Sequence, residues 1–284
     1  MSNLQKNRMI PLEELTLMDR FLLSEAVEDQ QFFEDLLSII FGEKILLTTA
    51  PQTEKEIRAN RELRKYVRLD VWGEDEHSIY NTEVQQKDTK NLPKRGRYYQ
   101  ALIDGKLLEV GNTDYNQLKR IYLITIAPFD LFGRQRYMYS FQMRCNEEPD
   151  LVLGDEAYRI FLNTRGTDVE NISPELKSLL EFFEDPSEEV AKRSHSDRIM
   201  RMQQHVKSLK SNADVRVRFM NAWEEREYAK QEGRAEGLAE GRAEGERRMT
   251  ALYALLKETS RLEDYGKAME DTAFREQLYA ELGL

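Results

Sequence analysis

Asp70 and Glu83 stand in two short segments that read as neighbouring strands, and of all the side chains in the sequence they are the pair best placed to do chemistry. The first segment, residues 66–72, runs Tyr-Val-Arg-Leu-Asp-Val-Trp, and the second, residues 79–86, runs Ile-Tyr-Asn-Thr-Glu-Val-Gln-Gln. Alternation puts Val67, Leu69 and Val71 on one face of the first strand and Arg68, Asp70 and Trp72 on the other. In the second, Tyr80, Thr82 and Val84 share one side, and Asn81, Glu83 and Gln85 the other. A turn through residues 73–77 that folds the two into a hairpin sets Asp70 nearly opposite Glu83. Like charges at cross-strand distance repel unless a cation lies between them, and carboxylate oxygens suit Mg²⁺ or Mn²⁺. A cation held there polarises a phosphate and acidifies a water. The backbone carbonyl of Val84, between side chains that face the pair, is a further oxygen donor.

The elements that must position this hairpin are legible around it. Residues 12–23 and 28–41 have helical apolar spacing, with Phe32, Phe33, Leu36, Leu37 and Ile40 forming a broad stripe and Gly42 a stop. Residues 44–49 are expected as a short strand. Pro93 suits the first turn of a helix running to about Leu102. On that helix Arg95 and Tyr99 share one face and Lys94 and Tyr98 another. Arg95 could then bind a phosphate oxygen, with a tyrosine hydroxyl or Lys94 beside it. Residues 121–126 are continuously apolar, as in a strand buried on both faces, and residues 136–144 alternate and carry three aromatics. This order of helices and strands is that of an α/β core with a mixed sheet.

Several blocks in a fixed order resemble the recombination-promoting nuclease and putative transposase family of the PD-(D/E)xK nuclease superfamily. They are Arg68-Leu-Asp70-Val, Tyr80-Asn-Thr-Glu83-Val-Gln85, residues 92–100 (Leu-Pro-Lys-Arg-Gly-Arg-Tyr-Tyr-Gln), residues 111–115 (Gly-Asn-Thr-Asp-Tyr) and residues 118–122 (Leu-Lys-Arg-Ile-Tyr), with Asn163-Thr-Arg-Gly166 after the core. The resemblance spans roughly residues 18–166 and implies a restriction-endonuclease-like mixed sheet flanked by helices and DNA cleavage in recombination or transposition. It implies Asp70 and Glu83 as catalytic metal ligands. The superfamily's usual lysine is replaced by Gln85, which can orient a water but cannot act as a base at neutral pH. Asp19, before Phe21, matches the family's acidic position on the leading helix and is a fourth metal-ligand candidate; Glu25 is a separate one, and Lys87 and Gln100 are weaker site candidates.

Composition bounds the rest. The chain has 284 residues, 33% of them charged, and a net charge of -10, which opposes indiscriminate attraction to nucleic acid. Between residues 58 and 97, however, ten basic residues accompany seven acidic ones, and Arg58, Arg61, Arg64, Lys65 and Arg68 recur at helical spacing. A solvated charged helix face is the bland alternative. One cysteine, Cys145, excludes an internal disulfide framework and is expected in a strand or the core. No spacing of its three histidines offers zinc a site. Polar residues 1–8 and the lack of a long apolar run lead to an expectation of no secretory leader, no membrane span and a cytoplasmic location.

From Ser173-Pro174 onward the pattern is helical, so the expected division is a nuclease-like domain at residues 1–172 and a helical region at 173–284. Within the latter, residues 232–246 repeat every four, with glycines at 233, 237, 241 and 245. Such a stripe admits a second helix at close range, making a homo-oligomer through these helices one expectation and a low-complexity helical linker the other. Two functions from different classes follow: a Mg²⁺-dependent DNA endonuclease, or a catalytically silent DNA-binding or assembly protein that keeps the nuclease fold.

Overall fold

A computed structural model describes residues 9–58, 66–108 and 113–284. Helix α1 (Arg20–Val27) begins where the Asp19 carboxylate accepts the Phe21 N–H at 2.9 Å. The apolar run expected as one helix over 12–23 is therefore split, with a single 3-10 turn at Leu12–Glu14 ahead of the cap. Helix α2 (Gln30–Phe41) is capped by Asp29 and ends at Gly42, whose φ of 71° lies in the left-handed region that favours glycine. Residues 44–49 form no strand. Side chains of α2 take their N–H groups instead: Ser38 accepts from Ile45 at 2.9 Å and Glu34 from Leu47 at 2.9 Å.

Strands β1 (Gln52–Arg58), β2 (Tyr66–Glu74) and β3 (Ser78–Val84) follow, then helix α3 (Leu92–Leu107), which connects β3 to strand β4 (Arg120–Ala127). Strands β5 (Met138–Phe141) and β6 (Ala157–Asn163) complete a six-stranded sheet in the order β1-β2-β3-β4-β6-β5. β3, β4 and β6 are parallel and the outer pairs antiparallel. The fold is the expected mixed sheet flanked by helices. β1 and β6 were not foreseen, and β5 is shorter than the run over 136–144. Cys145 lies beyond β5, outside any strand and half-buried, its thiol donating to Glu147 at 3.2 Å.

Both faces of the sheet are covered. One carries Val71, Tyr80, Ile124, Ile126, Ile160 and Leu162, packed in a single core with α1 and α2. Gly73 of β2 makes this contact close: a Cβ there would stand 2.6 Å from the Phe33 ring. The other face carries Trp72, Ile79, Ile121, Leu123 and Ala157 against Leu102 and Ile103 of α3. Leu69 packs with this second group, not with Val71, so simple alternation fails along β2. The break coincides with Glu54, the β1 residue that would stand opposite Asp70 but adopts a φ of 53° and leaves the ladder there.

Helices α4 (Pro174–Glu184), α5 (Glu188–Arg193) and α6 (Asp197–Ser211) join the α1–α2 core through Leu179, Phe182, Phe183, Ile199 and Val206. Buried carboxylates tie them down. Asp35 of α2 accepts the Arg201 guanidinium at 2.9–3.1 Å, and Glu25 of α1 pairs with Arg218. The first compact unit accordingly extends to Phe219, and the boundary expected at residue 172 marks only where strands cease. Helix α7 (Ala213–Glu258) is divided between the units; with α8 (Leu262–Glu270) and α9 (Thr272–Leu282) its later part forms the second, around Leu252, Leu256, Ala268, Leu278 and Tyr279. The four glycines of the repeat lie on exposed helix, where an added Cβ would meet nothing within 4 Å.

The Asn163-Thr-Arg-Gly166 block is a structural joint. Asn163 donates its side chain to the Arg136 carbonyl at 3.1 Å and its N–H to the Tyr137 carbonyl at 2.8 Å, and Thr164 and Arg165 both bind Glu184 of α4. A Cβ on Gly166 would fall 2.5 Å from the Tyr137 backbone nitrogen, and backbone cannot step aside as a flexible side chain can. Gly166→Ala is expected to destabilise the first unit by about 2 kcal/mol, measured as a lowered urea midpoint with an unchanged m-value.

Candidate active site

The antiparallel register of β2 and β3 pairs Val71 with Thr82 and Trp72 with Asn81. Continued by one residue, it sets Asp70 across from Glu83, as the alternation in β3 and the turn length require. What the sequence did not disclose is how dry this place is. α3 lies over the polar edge of the hairpin, and Asp70 and Glu83 are only 6% and 5% exposed. Two carboxylates are thereby held side by side out of water, an arrangement that costs free energy from both desolvation and repulsion.

Guanidinium groups arrive from two sides. Arg20, the first residue of α1, forms ion pairs with Asp70 and, at 2.9 Å, with Glu54 of β1. Arg95 of α3 donates to Glu83 at 2.9 Å and to the Gln85 side-chain oxygen at 2.9 Å. Its guanidinium also lies 5.7 Å from the Tyr99 ring centre. Gln85 gives one amide hydrogen to the Lys87 carbonyl at 2.8 Å. One hydrogen and one lone pair of that amide remain. Asn81, buried in the same cleft, donates to Glu83 at 3.5 Å and has a side-chain oxygen with no partner.

Burial is the largest influence on both acids and raises the proton affinity of each. For Glu83 the adjoining Asp70 charge raises it further, against the opposing pull of Arg95 and Arg20. For Asp70 the nearby Arg20 charge and the Val84 N–H pull the other way without overcoming desolvation. The Tyr99 hydroxyl is pushed up to about 12 by burial and then by Glu83, so it stays a hydrogen-bond donor at neutral pH.

The other expected residues divide cleanly. Gln85 hands its N–H to the Ile126 carbonyl of β4, and peptide groups alternate along a strand, so the polar groups of Val84 face β2 and Asp70. Lys94 and Tyr98 are on the exposed side of α3, away from the Arg95–Tyr99 face. The Asp19 carboxylate caps α1, and its neighbour Arg20 is the residue that reaches Asp70; Glu25 is tied to Arg218. The side chains of Arg58, Arg61, Arg64, Lys65 and Arg68 lie outside the described residues. Arg20 and Glu54 were missed: nothing in sequence spacing links either to the hairpin, since both approach it only through the tertiary fold.

Among the described residues, no three side chains of His, Cys, Asp or Glu converge as a ready-made metal cage. The donor set is instead two carboxylates with a backbone carbonyl beside them. Hard oxygen donors in this number fit an ion such as Mg²⁺, which retains several waters and is commonly held by one or two carboxylates. The repulsion between Asp70 and Glu83 is itself relieved by such a charge.

A family model described as PD-(D/E)XK nuclease family transposase matches residues 20–233. The chain belongs to that family. The match opens at Arg20, takes in Asp70, Glu83, Gln85 and Arg95, and runs past the first compact unit into α7. No curated protein and no solved structure matches the chain. Members of the PD-(D/E)XK nuclease superfamily generally use divalent metals and act on DNA. Among the described residues, no helix of this family member is long and apolar enough to cross a membrane.

The raised proton affinities fix a pH dependence. A carboxylate that binds its proton more tightly when folded than when unfolded favours the folded state at low pH, and the fold loses that contribution as pH climbs from the ordinary carboxylate range toward neutrality. In EDTA, thermal stability should therefore fall over this window, and Glu83→Gln should flatten the fall, being more stable than wild type near pH 8 by on the order of 1 kcal/mol. Differential scanning calorimetry at a series of pH values checks this, and divalent metal added at pH 8 should restore stability to wild type and not to Glu83→Gln.

Proposed function

We propose that this protein is a metal-dependent DNA endonuclease that hydrolyses phosphodiester bonds in recombination or transposition. The observation that carries the reading is the buried, opposed pair Asp70 and Glu83, flanked by Arg95 and set in a member of a nuclease family. Asp70 and Glu83 would hold Mg²⁺, with Mn²⁺ as a substitute, and the Val84 carbonyl would complete the protein's share of the donors. The ion supplies charge neutralisation at the phosphate and a more acidic water.

The chain's own residues do the rest. Arg95 has a permanent, planar charge that opposes the protonation of Glu83 and presents spare donors to a nonbridging phosphate oxygen. Tyr99 supports that guanidinium with its ring and keeps its hydroxyl proton for the DNA backbone. Gln85, fixed by Arg95 and the Lys87 carbonyl, uses its remaining amide valences to orient the attacking water. It removes no proton, so catalysis lacks the lysine typical of the superfamily and turnover is slow. Lys94, on the outer face of α3, meets the duplex outside the cleft. Asp19 is left out of the ligand set because its carboxylate caps α1.

Nicking of supercoiled plasmid tests the reading. Wild type should cut with Mg²⁺ or Mn²⁺ and not with Ca²⁺ or EDTA. Asp70→Ala and Glu83→Ala should lose on the order of 10²-fold or more, and Gln85→Ala about tenfold, in line with loss of metal and of a water-orienting group. Equal cutting by Asp70→Ala and wild type would remove the hairpin from the chemistry. Duplex binding without cutting in any metal would establish the silent DNA-binding alternative.

A further inference from the structure

We propose that Arg159 is a second phosphate-binding residue of the cleft, taking a DNA backbone phosphate beside the one at the carboxylate pair; this deepens the nuclease reading and rests on it. Arg159 lies on β6, in register with Leu123 of β4, which in turn pairs with Asn81 of β3. Two strand spacings, roughly 10 Å of backbone, separate Arg159 from Asn81. Its long side chain crosses back toward α3 and lines one cleft with Asn81, Glu83, Arg95 and Tyr99.

The way Arg159 is held distinguishes it from the other arginines of the site. Arg20 and Arg95 each contact a carboxylate, whereas among the described residues Arg159 pairs with none. Its guanidinium donates to the side-chain oxygen of Gln100 at 2.7 Å. Gln100 is oriented for this because its amide nitrogen binds Asp104 one turn further along α3. The arginine stem runs over Gly96, where an added Cβ would lie 3.8 Å from its Cδ. The Nε–H is buried without an acceptor. A half-buried guanidinium whose Nε–H is shut off from water without an acceptor, and which has no carboxylate partner among the described residues, is costly, and a phosphate supplies both acceptor and counter-charge. Gln100 is then a positioning residue, holding the guanidinium toward the cleft.

The test uses the full chain and a fluorescein-labelled DNA duplex in Ca²⁺, read by anisotropy over a series of KCl concentrations below the melting transition of each variant. Arg159→Gln should weaken binding about tenfold and make the slope of log K against log salt shallower by about 0.9, the signature of one lost phosphate contact. Arg159→Lys should keep the slope while recovering only part of the affinity, because a point charge replaces a planar fork. In Mg²⁺ the Arg159→Gln loss should fall on KM more than on kcat. Arg159→Met keeps the stem that packs on Gly96, so a packing role would leave its affinity and slope at wild-type values. Wild-type affinity and slope in Arg159→Gln and Arg159→Met would overturn the proposal whatever their melting points, as would a wild type that binds no duplex. Weakened binding by Arg159→Gln in a protein that cuts with no metal would keep the phosphate contact and discard the nuclease reading.

Discussion

Two like charges buried across a hairpin govern much of this structure. Asp70 and Glu83 face each other because the β2–β3 register leaves no alternative, and they are dry because α3 covers that edge of the sheet. Repulsion in a low-dielectric setting must be met by positive charge placed with care. The start of α1 delivers Arg20 to one acid, and the first turn of α3 delivers Arg95 to the other. Each guanidinium also contacts a second acceptor, Glu54 or Gln85, so the cations are aimed by groups other than the acids they neutralise.

A different set of charges fixes the helices behind the sheet. Glu25, Glu34 and Asp35 are buried carboxylates of α1 and α2, and each is matched: Glu25 by Arg218, Asp35 by Arg201, and Glu34 by Gln30 and the Leu47 N–H. Removing either partner of such a pair strands a charge away from water, which makes these contacts better at selecting one arrangement than at adding net stability. The two arginine pairs join residues 166 and 193 positions apart, and they help to place α4 to α6 and the start of α7 in the same compact unit as the sheet.

Local rules made part of this readable in advance. The hairpin register, the side of β3 that carries Glu83 and Gln85, the stop at Gly42, the start of α3 at Pro93 and the apolar strand β4 all rest on alternation, turn length or backbone geometry within a few residues. β1 escaped notice because it is an outer strand of polar residues, its Lys55 ammonium resting 3.7 Å from the Trp72 ring instead of inside an apolar core. The segment over 44–49 misled because its extended backbone is held by α2 side chains at Ile45 and Leu47 and reaches β2 only through Thr48 on Glu74, too little for a ladder. Arg20, Glu54 and Arg159 were out of reach for a common reason: each meets the cleft through a contact between elements distant in sequence, and no periodicity encodes that.

The connection from β3 through α3 to β4 joins two adjacent parallel strands. Such a connection takes a right-handed path, because a twisted strand feeding a right-handed helix packs back onto the sheet in only that sense. Handedness, which originates in the chirality of each α-carbon, therefore decides which face of the sheet α3 covers. It also decides which alternate residues of β3 can meet Arg95: Asn81, Glu83 and Gln85 lie beneath the helix, while Tyr80, Thr82 and Val84 are turned toward the opposite layer. An insertion or deletion of one residue in β3 would leave the crossover unchanged and exchange the two sets, putting hydrophobic side chains under α3 and the acid into the apolar core. The location of the cleft is in this sense a matter of mirror symmetry broken at the level of single amino acids.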